Sequence, residues 1–362
     1  MKKNLLLFIL FCSNVIFVSA QALSKDYEHL LQTPKNYVVS FANSPVVIDG
    51  NINDAGWEQA VWTDYFEDIE GDLKPKPYYK TRAKMLWDEK YLYIAAQLED
   101  PHVWANLTKH DEIVFYDNDF EVFIDPENTT HRYFEYEINA MNTIFDLFLP
   151  KPYRTGSGAL IGWDSNHLKH AVHVYGSLNN ASDTDTGWTV ELAIPFQDIA
   201  IGNHTQIPTD GDIWRLNFSR VQWDTEIVDG KYLKKKGMYG KSLPEHNWVW
   251  SPQGVINMHL PERWGYIQFS KKQAKEALPT FQMPYSQKQR QQLWLIYYKQ
   301  KKYKETTGFY AKTLKDLDLK QVCMVDGKTN RISMESSKNQ FFVIISDSST
   351  KAITINDEGY VN

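Results

Sequence analysis

Seven polar residues at alternating positions of strand-like segments carry the groups most capable of chemistry in this chain. They are Tyr93, Glu121, Glu137, Asn139, Glu191, Arg215 and Asn217. Carboxylate, amide and guanidinium groups are planar and can hydrogen-bond two neighbouring hydroxyl groups at once. The set therefore predicts a binding surface for a ligand with vicinal hydroxyl groups. A structural network of ion pairs and hydrogen bonds is the alternative explanation for any single member.

Tryptophan is the second residue type that can contact such a ligand, and eleven of the twelve tryptophans lie between Trp57 and Trp264. Four fall on the apolar side of strand or turn patterns and are expected in the core: Trp57, Trp188, Trp214 and Trp264. Five lie in loop-like sequence: Trp104, Trp163, Trp223, Trp248 and Trp250. A large ring in a polar loop either folds back as a lid or is presented to a ligand. Because the C–H face of a sugar stacks on such a ring, two of them flanking one cleft would indicate a saccharide site.

Short alternating segments must position these groups. Apolar and polar residues alternate in the segments 91–98, 119–125, 134–140, 188–192 and 214–219. A period of two residues is that of a half-buried antiparallel strand with one apolar and one polar face. Turn sequences such as Asp49-Gly50 and Asp210-Gly211 separate the segments. The pattern predicts a mainly β body folded as an antiparallel β-sandwich.

Charge divides the chain into two parts. Residues 21–270 contain 21 lysines and arginines against 36 aspartates and glutamates, whereas residues 271–362 contain 16 against 9. The acidic balance of the body argues against nucleic acid as its main ligand, because binding to phosphates requires an excess of basic groups. The sandwich is assigned to residues 21–270, and the change in charge places a domain boundary just after it.

The C-terminal part has a different pattern from the body. Residues 271–285 are interpreted as a linker. A helix is predicted at residues 286–302, with Leu293, Ile296 and Tyr297 on one stripe, and strands follow at 341–346 and 352–356. Residues 286–362 are therefore predicted to form a small α+β domain. Its basic face can dock on an acidic partner, including the body, or remain solvated.

The first 20 residues have the pattern of a secretory signal. Two lysines precede an apolar run, and Val18-Ser19-Ala20 ends the run with small residues. We predict cleavage before Gln21 and a periplasmic or secreted product. No later stretch reaches the roughly 18 apolar residues that cross a bilayer. Cys323 is the only cysteine after the predicted cleavage site, so no intrachain disulfide is expected in the mature protein.

Several motifs between residues 40 and 270 follow one another in a defined order. They read VIDGNINDAGW at 47–57, WDEKYLY at 87–93, DNDFEVFIDP at 117–126, WTVELAIP at 188–195, and WSP and PERWG within 248–269. In this order they resemble the sequence blocks of family 9 carbohydrate-binding modules. The resemblance implies a β-sandwich of the DOMON-like superfamily and non-catalytic binding of an oligo- or polysaccharide. It also implies a sugar held between two tryptophans, for which Trp163 and Trp223 are the candidates in this sequence.

Two other functions are compatible with the same sequence. Paired carboxylates are the catalytic groups of glycoside hydrolases, and Glu121, Glu137 and Glu191 can supply an acid and a base. No recognisable hydrolase domain is present, which favours a binding protein over an enzyme. Other DOMON-like domains bind heme or transfer electrons, but that function needs an axial Met or His. No methionine of this chain has a sequence context that marks it as such a ligand.

The metal signals point to calcium and not to zinc. The resemblance implies calcium ions in structural roles. Asp49 and Asn51 cluster in one turn, and Asp117 and Asp119 lie in a second acidic region. Oxygen ligands from loops are those that Ca²⁺ prefers, so these four residues are the predicted calcium ligands, with simple Asx turns as the alternative. The histidines are scattered and have no zinc-site spacing, which favours neutral surface or turn histidines.

Overall fold

The structure, a computed structural model, describes residues 25–44, 46–58, 60–200 and 207–362. The predicted signal peptide lies outside the described residues. Within the described ranges, no helix combines the length and the apolar character needed to cross a membrane.

The body is built from short strands, as the alternating segments predict. Their bounds are β1 (Asn36–Phe41), β2 (Glu67–Asp68), β3 (Thr81–Trp87), β4 (Tyr91–Glu99), β5 (Asp119–Asp125), β6 (Tyr133–Asn139), β7 (Ile144–Leu149), β8 (Lys169–Tyr175), β9 (Gly187–Pro195), β10 (Ile213–Gln222), β11 (Thr225–Val228), β12 (Lys231–Lys234), β13 (His246–Val249) and β14 (Gly265–Gln273). The five segments identified by alternation are β4, β5, β6, β9 and β10, so these strand predictions are confirmed.

One large sheet contains all of these strands except the β11–β12 hairpin. Its order is β7-β6-β5-β10-β14-β1-β3-β4-β9-β8, with β13 beside β10 and β2 beside β13. Residues from both halves share one core, for example Val122 and Phe218 with Ile94 and Leu192. The sheet therefore closes over itself as a β-sandwich. Its pairs are antiparallel except those of β1, which runs parallel to β14 and to β3.

The polar faces of the central strands are buried, which corrects the prediction of half-buried strands. Every residue of β5, β6 and β9 is buried. Loops between the strands cover the outer face of the β5–β7 region: Val114 and Trp264 pack there against Phe123, Tyr133 and Phe145. The alternation in the sequence identified which face is apolar, but it could not indicate that long loops fold over the other face.

Gly187, at the start of β9, shows how closely the sheet packs. Its φ is +142°, and a Cβ atom at this position would lie 2.0 Å from the Leu98 carbonyl oxygen of β4. Such a separation is far below van der Waals contact, so only glycine allows β9 to begin pairing with β4 here.

The C-terminal domain consists of one long helix and a four-stranded antiparallel sheet. The helices are α1 (Lys25–Glu28), which precedes the sandwich, and α2 (Tyr285–Thr307). The sheet strands are β15 (Val322–Val325), β16 (Lys328–Ser336), β17 (Phe341–Ser346) and β18 (Ile353–Asn356), in the order β15-β16-β17-β18. Short 3-10 turns lie at His29–Leu31, Gly71–Leu73, Val114–Tyr116, Tyr153–Thr155, Met238–Gly240, Pro261–Arg263 and Leu314–Leu317. The stripe Leu293, Ile296 and Tyr297 is buried in the core of this domain, as predicted.

The C-terminal domain packs directly on the sandwich. Arg154 donates two hydrogen bonds to the buried Glu262 carboxylate, at 2.6 and 2.9 Å, and the Tyr298 hydroxyl of α2 donates to the same carboxylate. The Arg154 guanidinium also lies 5.3 Å from the centre of the Trp294 ring. At the chain end, Val361 N donates to the Thr129 carbonyl oxygen. Tyr298 and Trp294 of α2 thus pack on an ion pair that is buried within the sandwich.

Candidate functional site

An open cleft of about 290 Å³ lies over the outer face of β5, β6 and β7. Its size is close to that of the smaller ligand pockets of proteins, roughly 300 Å³. It is lined by Ile113, Phe115, Glu121, Phe123, Glu135, Glu137, Phe145, Leu147, Tyr153, Ile161, Asn247, Met258 and His259. The described lining residues include three glutamates and neither lysine nor arginine. The cleft therefore combines aromatic and apolar walls with a strongly acidic floor.

Strand pairing brings the acidic floor together. Glu121 on β5 and Glu137 on β6 are direct partners in the antiparallel register, and Glu135 lies opposite Phe123 one step along the same face. Their exposures are 5%, 5% and 4%. Like charges directly opposite one another destabilise a sheet. An arrangement of this kind serves no evident purpose in holding the two strands together.

The floor carboxyl groups have few partners within the protein. Glu137 Oε2 accepts a hydrogen bond from Phe115 N at 2.8 Å, which ties the cleft loop to β6. Glu135 Oε2 and the neighbouring Asp119 Oδ2 are buried and accept no hydrogen bond from any described residue. Unsatisfied buried oxygens cost free energy, so they favour a ligand that can donate to them.

Burial and mutual repulsion raise the pKa values of the floor carboxyls. Burial raises the pKa of Glu121 to about 7. Burial also raises the pKa of Glu137 and of Glu135 well above the usual value, and the neighbouring glutamates add to the effect. Near neutral pH the floor therefore contains protonated as well as ionised carboxyls. Such a mixture can both donate hydrogen bonds to hydroxyl groups and accept them.

Aromatic side chains form the walls of the cleft. Tyr153 is 45% exposed, and the centre of its ring lies 4.4 Å from that of His259 in an edge-on arrangement. The His259 Nδ1 atom is 2.9 Å from the Tyr133 hydroxyl, and burial lowers the pKa of His259 to about 4, so this imidazole is neutral at neutral pH. Tyr153 is thus a ring with a supported orientation and an accessible surface, which suits stacking against a sugar.

The two tryptophans predicted to hold the sugar support the cleft from outside it. The Trp223 Nε1 atom donates to the Phe115 carbonyl oxygen at 3.0 Å, and Lys234 Nζ lies 3.3 Å from the centre of one of the Trp223 rings. Trp163 packs on Phe134, with ring centres 4.9 Å apart, on the core side of β6. The predicted pair therefore does not flank one cleft. Trp223 is hydrogen-bonded to Phe115, and Trp163 lies two residues after Ile161; Phe115 and Ile161 both line the cleft.

The other tryptophans predicted in loops are buried, Trp248 of them within strand β13, and the predicted core tryptophans are confirmed. Exposures are 4%, 2% and 1% for Trp104, Trp248 and Trp250. The four tryptophans predicted in the core are all buried: Trp57, Trp188, Trp214 and Trp264. The alternation thus identified core tryptophans correctly. The tryptophans with polar sequence neighbours are packed against the protein and are not presented to a ligand.

Arg215 and Asn217 belong to a different part of the molecule from the acidic floor. The Arg215 guanidinium lies 3.9 Å from the centre of the Tyr266 ring and donates to the Trp264 carbonyl oxygen at 2.8 Å. Asn217 exchanges two hydrogen bonds with the backbone of Ser251. Both side chains are buried and hold the segment 250–264 against β10, which is the structural alternative considered from the sequence.

Tyr93, Glu191 and Asn139 also have partners within the protein. The Tyr93 hydroxyl donates to Asp88 Oδ2 at 2.7 Å. Glu191 Oε2 accepts from the backbone N–H groups of Asp49 and Gly50, at 2.9 and 2.6 Å. Asn139 is completely buried; its Nδ2 donates to the Leu107 carbonyl oxygen, and its Oδ1 accepts from backbone N–H groups of the following turn. Of the seven polar residues predicted to bind a ligand, Glu121 and Glu137 are the two that line the cleft.

The four predicted calcium ligands differ in whether an oxygen remains free. Asp49 Oδ1 accepts from Asn51 N at 2.8 Å, the Asx-turn alternative, and Asn51 pairs with Asp54. Asp117 Oδ2 accepts from the N–H groups of Asn106 and Leu107. Asp119 alone keeps a buried oxygen without a partner and lies beside the floor glutamates. Asp119 therefore fits a cation ligand, whereas Asp49, Asn51 and Asp117 are engaged elsewhere, and calcium binding stays a prediction.

Sequence reasoning missed several residues of the cleft. Glu135 was visible in the sequence, since it lies on the same strand face as Glu137 at a spacing of two. Tyr153, Asn247 and His259 come from three separate segments, and no local pattern relates them to β5 or β6. Only the tertiary fold brings them to the glutamates: Asn247 lies on β13, beside β10, whereas Tyr153 and His259 lie in segments outside the strands.

Known proteins provide an independent comparison. The sequence profile of the family described as carbohydrate family 9 binding domain-like matches residues 48–241, more than half of the chain. The chain is 28% identical over 183 residues to exoglucanase XynX of Acetivibrio thermocellus, covering 50% of this chain and 14% of that protein. It is 30% identical over 127 residues to endo-1,4-beta-xylanase A of Thermoanaerobacterium saccharolyticum, covering 35% of this chain and 9% of that protein. The match thus spans only a small part of either relative.

A solved structure of the same class is also similar. It is a family 9 carbohydrate-binding module from Caldicellulosiruptor kristjanssonii in complex with cellotriose, with a TM-score of 0.41 and 16% identity, covering 68% of this chain and all of that one. The ordered motifs, the observed β-sandwich and the profile match agree, and this chain belongs to the carbohydrate family 9 binding domain-like family.

Proposed function

We propose that this protein binds a saccharide, without cleaving it, in the cleft over β5, β6 and β7. The observation that carries the proposal is the opposed pair Glu121 and Glu137 beside Glu135, buried at the floor of an open cleft without a basic partner in its lining. The arrangement does not stabilise the fold, so binding of a ligand explains it better than a structural role does. Membership in a family of carbohydrate-binding domains gives the ligand class.

The chemistry of the cleft suits a sugar ring. Carboxyl groups with raised pKa values can donate to one hydroxyl group and accept from another, which matches the dual character of a sugar hydroxyl. Tyr153 and Phe115 provide apolar surface for the C–H groups of the ring. The limited volume favours one end or a short section of a glycan chain over a broad polymer surface.

We further propose that the ligand is a β-1,4-linked glucan or xylan fragment and that the protein acts outside the cytoplasm. The relatives, an exoglucanase and an endo-1,4-β-xylanase with which the chain shares part of its sequence, support this ligand class. The signal pattern of residues 1–20 supports export. N-terminal sequencing of the mature protein, with Gln21 expected as the first residue, checks the export proposal.

Titration calorimetry with cello- and xylo-oligosaccharides tests the binding proposal. Glu121→Gln keeps the shape of the side chain but removes a charged acceptor, so we expect affinity to fall by about tenfold or more. Tyr153→Ala removes a stacking surface and should weaken binding by roughly threefold to tenfold. Tyr65→Ala is the matched control, because Tyr65 is 49% exposed on a separate groove. The site is disproved if Glu121→Gln and Tyr153→Ala bind every sugar as tightly as Tyr65→Ala and the natural protein do.

The opposed glutamates also make a hydrolase reaction worth a direct measurement. Glycosidases use two nearby carboxyls, one of them with a raised pKa. The binding proposal expects no increase in reducing ends when the protein is incubated with the bound glycan. Release of reducing ends that Glu121→Gln abolishes would replace the binding proposal with a catalytic one.

A further inference from the structure

A second cluster of ligand-type side chains lies at the edge of the sandwich, apart from the cleft floor. It consists of His110, Asp111, Asp146 and Asp164. His110 and Asp111 belong to the loop before β5, Asp146 lies within the edge strand β7, and Asp164 follows Trp163. Three separate segments of chain therefore meet at this point.

The three separations from His110 Nε2 are close to those between ligands of a tetrahedral metal ion. The His110 Nε2 atom lies 3.2 Å from Asp164 Oδ1, 3.4 Å from Asp111 Oδ1 and 3.7 Å from Asp146 Oδ1. All four atoms lie within 4.8 Å of one another. Zinc bonds imidazole nitrogen and carboxylate oxygen at about 2.0–2.2 Å, so ligands at tetrahedral corners are about 3.3–3.6 Å apart.

Two of these carboxylate oxygens have no hydrogen-bond partner among the described residues. They are Asp111 Oδ1 and Asp146 Oδ1, both buried. The Asp146 side chain is only 1% exposed; its other oxygen accepts from Ser165 N at 2.6 Å, and Oδ1 is directed at the cluster. An unsatisfied oxygen on an almost fully buried carboxylate is an independent indication that a cation belongs there.

An ion pair with protonated His110 does not account for this arrangement. The Nε2 atom carries one hydrogen, and Asp164 Oδ1 is the nearest acceptor, so the other two oxygens remain without a donor. Three carboxylates also exceed the charge of one imidazolium. A divalent cation with four ligands would contact all three oxygens and the nitrogen at once.

We infer that His110, Asp111, Asp146 and Asp164 form a structural zinc site. The nitrogen ligand and the set of four ligand atoms favour zinc over calcium, which takes six to eight oxygen ligands. The spacing of the histidines along the chain gave no such indication, because each of three segments contributes one ligand or two. The bound ion would fasten the 160–168 loop to β7 and so hold Trp163 and Ile161 in place at the cleft.

Calorimetric titration of the chelator-treated, untagged full-length mature protein with ZnCl₂ tests this site. We expect one zinc ion per chain and a higher melting temperature. His110→Ala and Asp164→Ala should each weaken zinc binding by at least about tenfold, in line with the loss of a ligand. Both side chains are about half exposed, at 49% and 47%, so neither change should unfold the protein.

His246→Ala is the matched control, because His246 lies 3.4 Å from Asp224 but belongs to no cluster of three or more metal-ligand side chains in the described part of the chain. It should leave zinc affinity unchanged. Substitution by Co²⁺ supplies a second readout, since a tetrahedral site gives a far stronger visible absorption than an octahedral one. The site is disproved by absent zinc uptake, by uptake that His110→Ala does not weaken, or by an octahedral cobalt spectrum.

Discussion

Replacement of Glu121 by glutamine should change how the stability of this protein depends on pH. Glu121 is buried directly opposite Glu137, and burial raises its pKa to about 7 from the ordinary value of 4.5. Glutamine has nearly the same shape but does not ionise. The substitution therefore removes one titration from the buried cluster while preserving the packing of β5 against β6.

The sign and size of the effect follow from the two pKa values of Glu121. Below about pH 4.5 the group is protonated in both the folded and the unfolded protein and costs nothing. As the pH rises towards about 7, the unfolded chain ionises first, so the free energy of unfolding of the natural protein falls. A difference of about 2.5 pKa units corresponds to about 3 kcal/mol. Glu121→Gln should therefore gain about 3 kcal/mol relative to the natural protein between pH 4.5 and pH 8.

Urea unfolding at pH 4.5, 6 and 8 in the presence of a chelator measures this difference directly. The variant and the natural protein are compared at each pH, so the contributions of other titrating groups to the free energy of unfolding cancel. Glu226→Gln, at an exposed position of β11, is the control and should show little change of this kind. If the difference in stability between Glu121→Gln and the natural protein is the same at pH 4.5 and pH 8, the burial argument for the acidic floor is wrong.

Two further predictions concern buried cations. Arg154→Met leaves the buried Glu262 carboxylate without its cation and should lower the free energy of unfolding, measured in urea, by about 3 kcal/mol. Lys151→Met breaks a more exposed ion pair with Glu358 between the domains and should lower the same free energy by less than about 1 kcal/mol. Equal losses would show that burial of the pair is not decisive. Arg215→Ala should lower stability by about 2 kcal/mol and leave sugar affinity within about twofold, as measured by urea unfolding and calorimetry. Loss of sugar binding at unchanged stability would instead restore Arg215 to the binding site.

If the proposed binding site is correct, the acidic floor maintains ligand binding at the expense of stability. Directly opposed Glu121 and Glu137, with Glu135 beside them, repel one another in a buried environment. No described residue that lines the cleft is a lysine or arginine able to neutralise them by an ion pair. The resulting pKa shifts make the stability of the protein and the hydrogen-bonding capacity of the cleft depend on the same carboxyls. A bound sugar would compensate part of this cost by supplying hydrogen-bond partners.

The predicted tryptophans show where local reasoning succeeded and where it did not. A tryptophan in an alternating strand has its environment set by the strand, and such rings were placed correctly in the core. Trp163 and Trp223 lie in loops, where the direction of a ring depends on what the loop contacts. Trp163 packs on Phe134 and Trp223 on Phe115, and neither ring is among the cleft-lining residues. Their effect on a ligand would therefore be indirect, through the cleft residues that they position.

The sequence by itself determined the central strands β4, β5, β6, β9 and β10, the last two strands β17 and β18, the α2 helix and the family of the chain. These features depend on periodicity and ordered motifs within short segments. The sequence also identified Glu121 and Glu137 as unusual. The tertiary structure decided that the polar strand faces are covered, that Tyr153, Asn247 and His259 complete the cleft, and that His110 meets three aspartates at the edge of β7. These relations join residues far apart in the chain, and their distances arise only when the loops fold over the sheet.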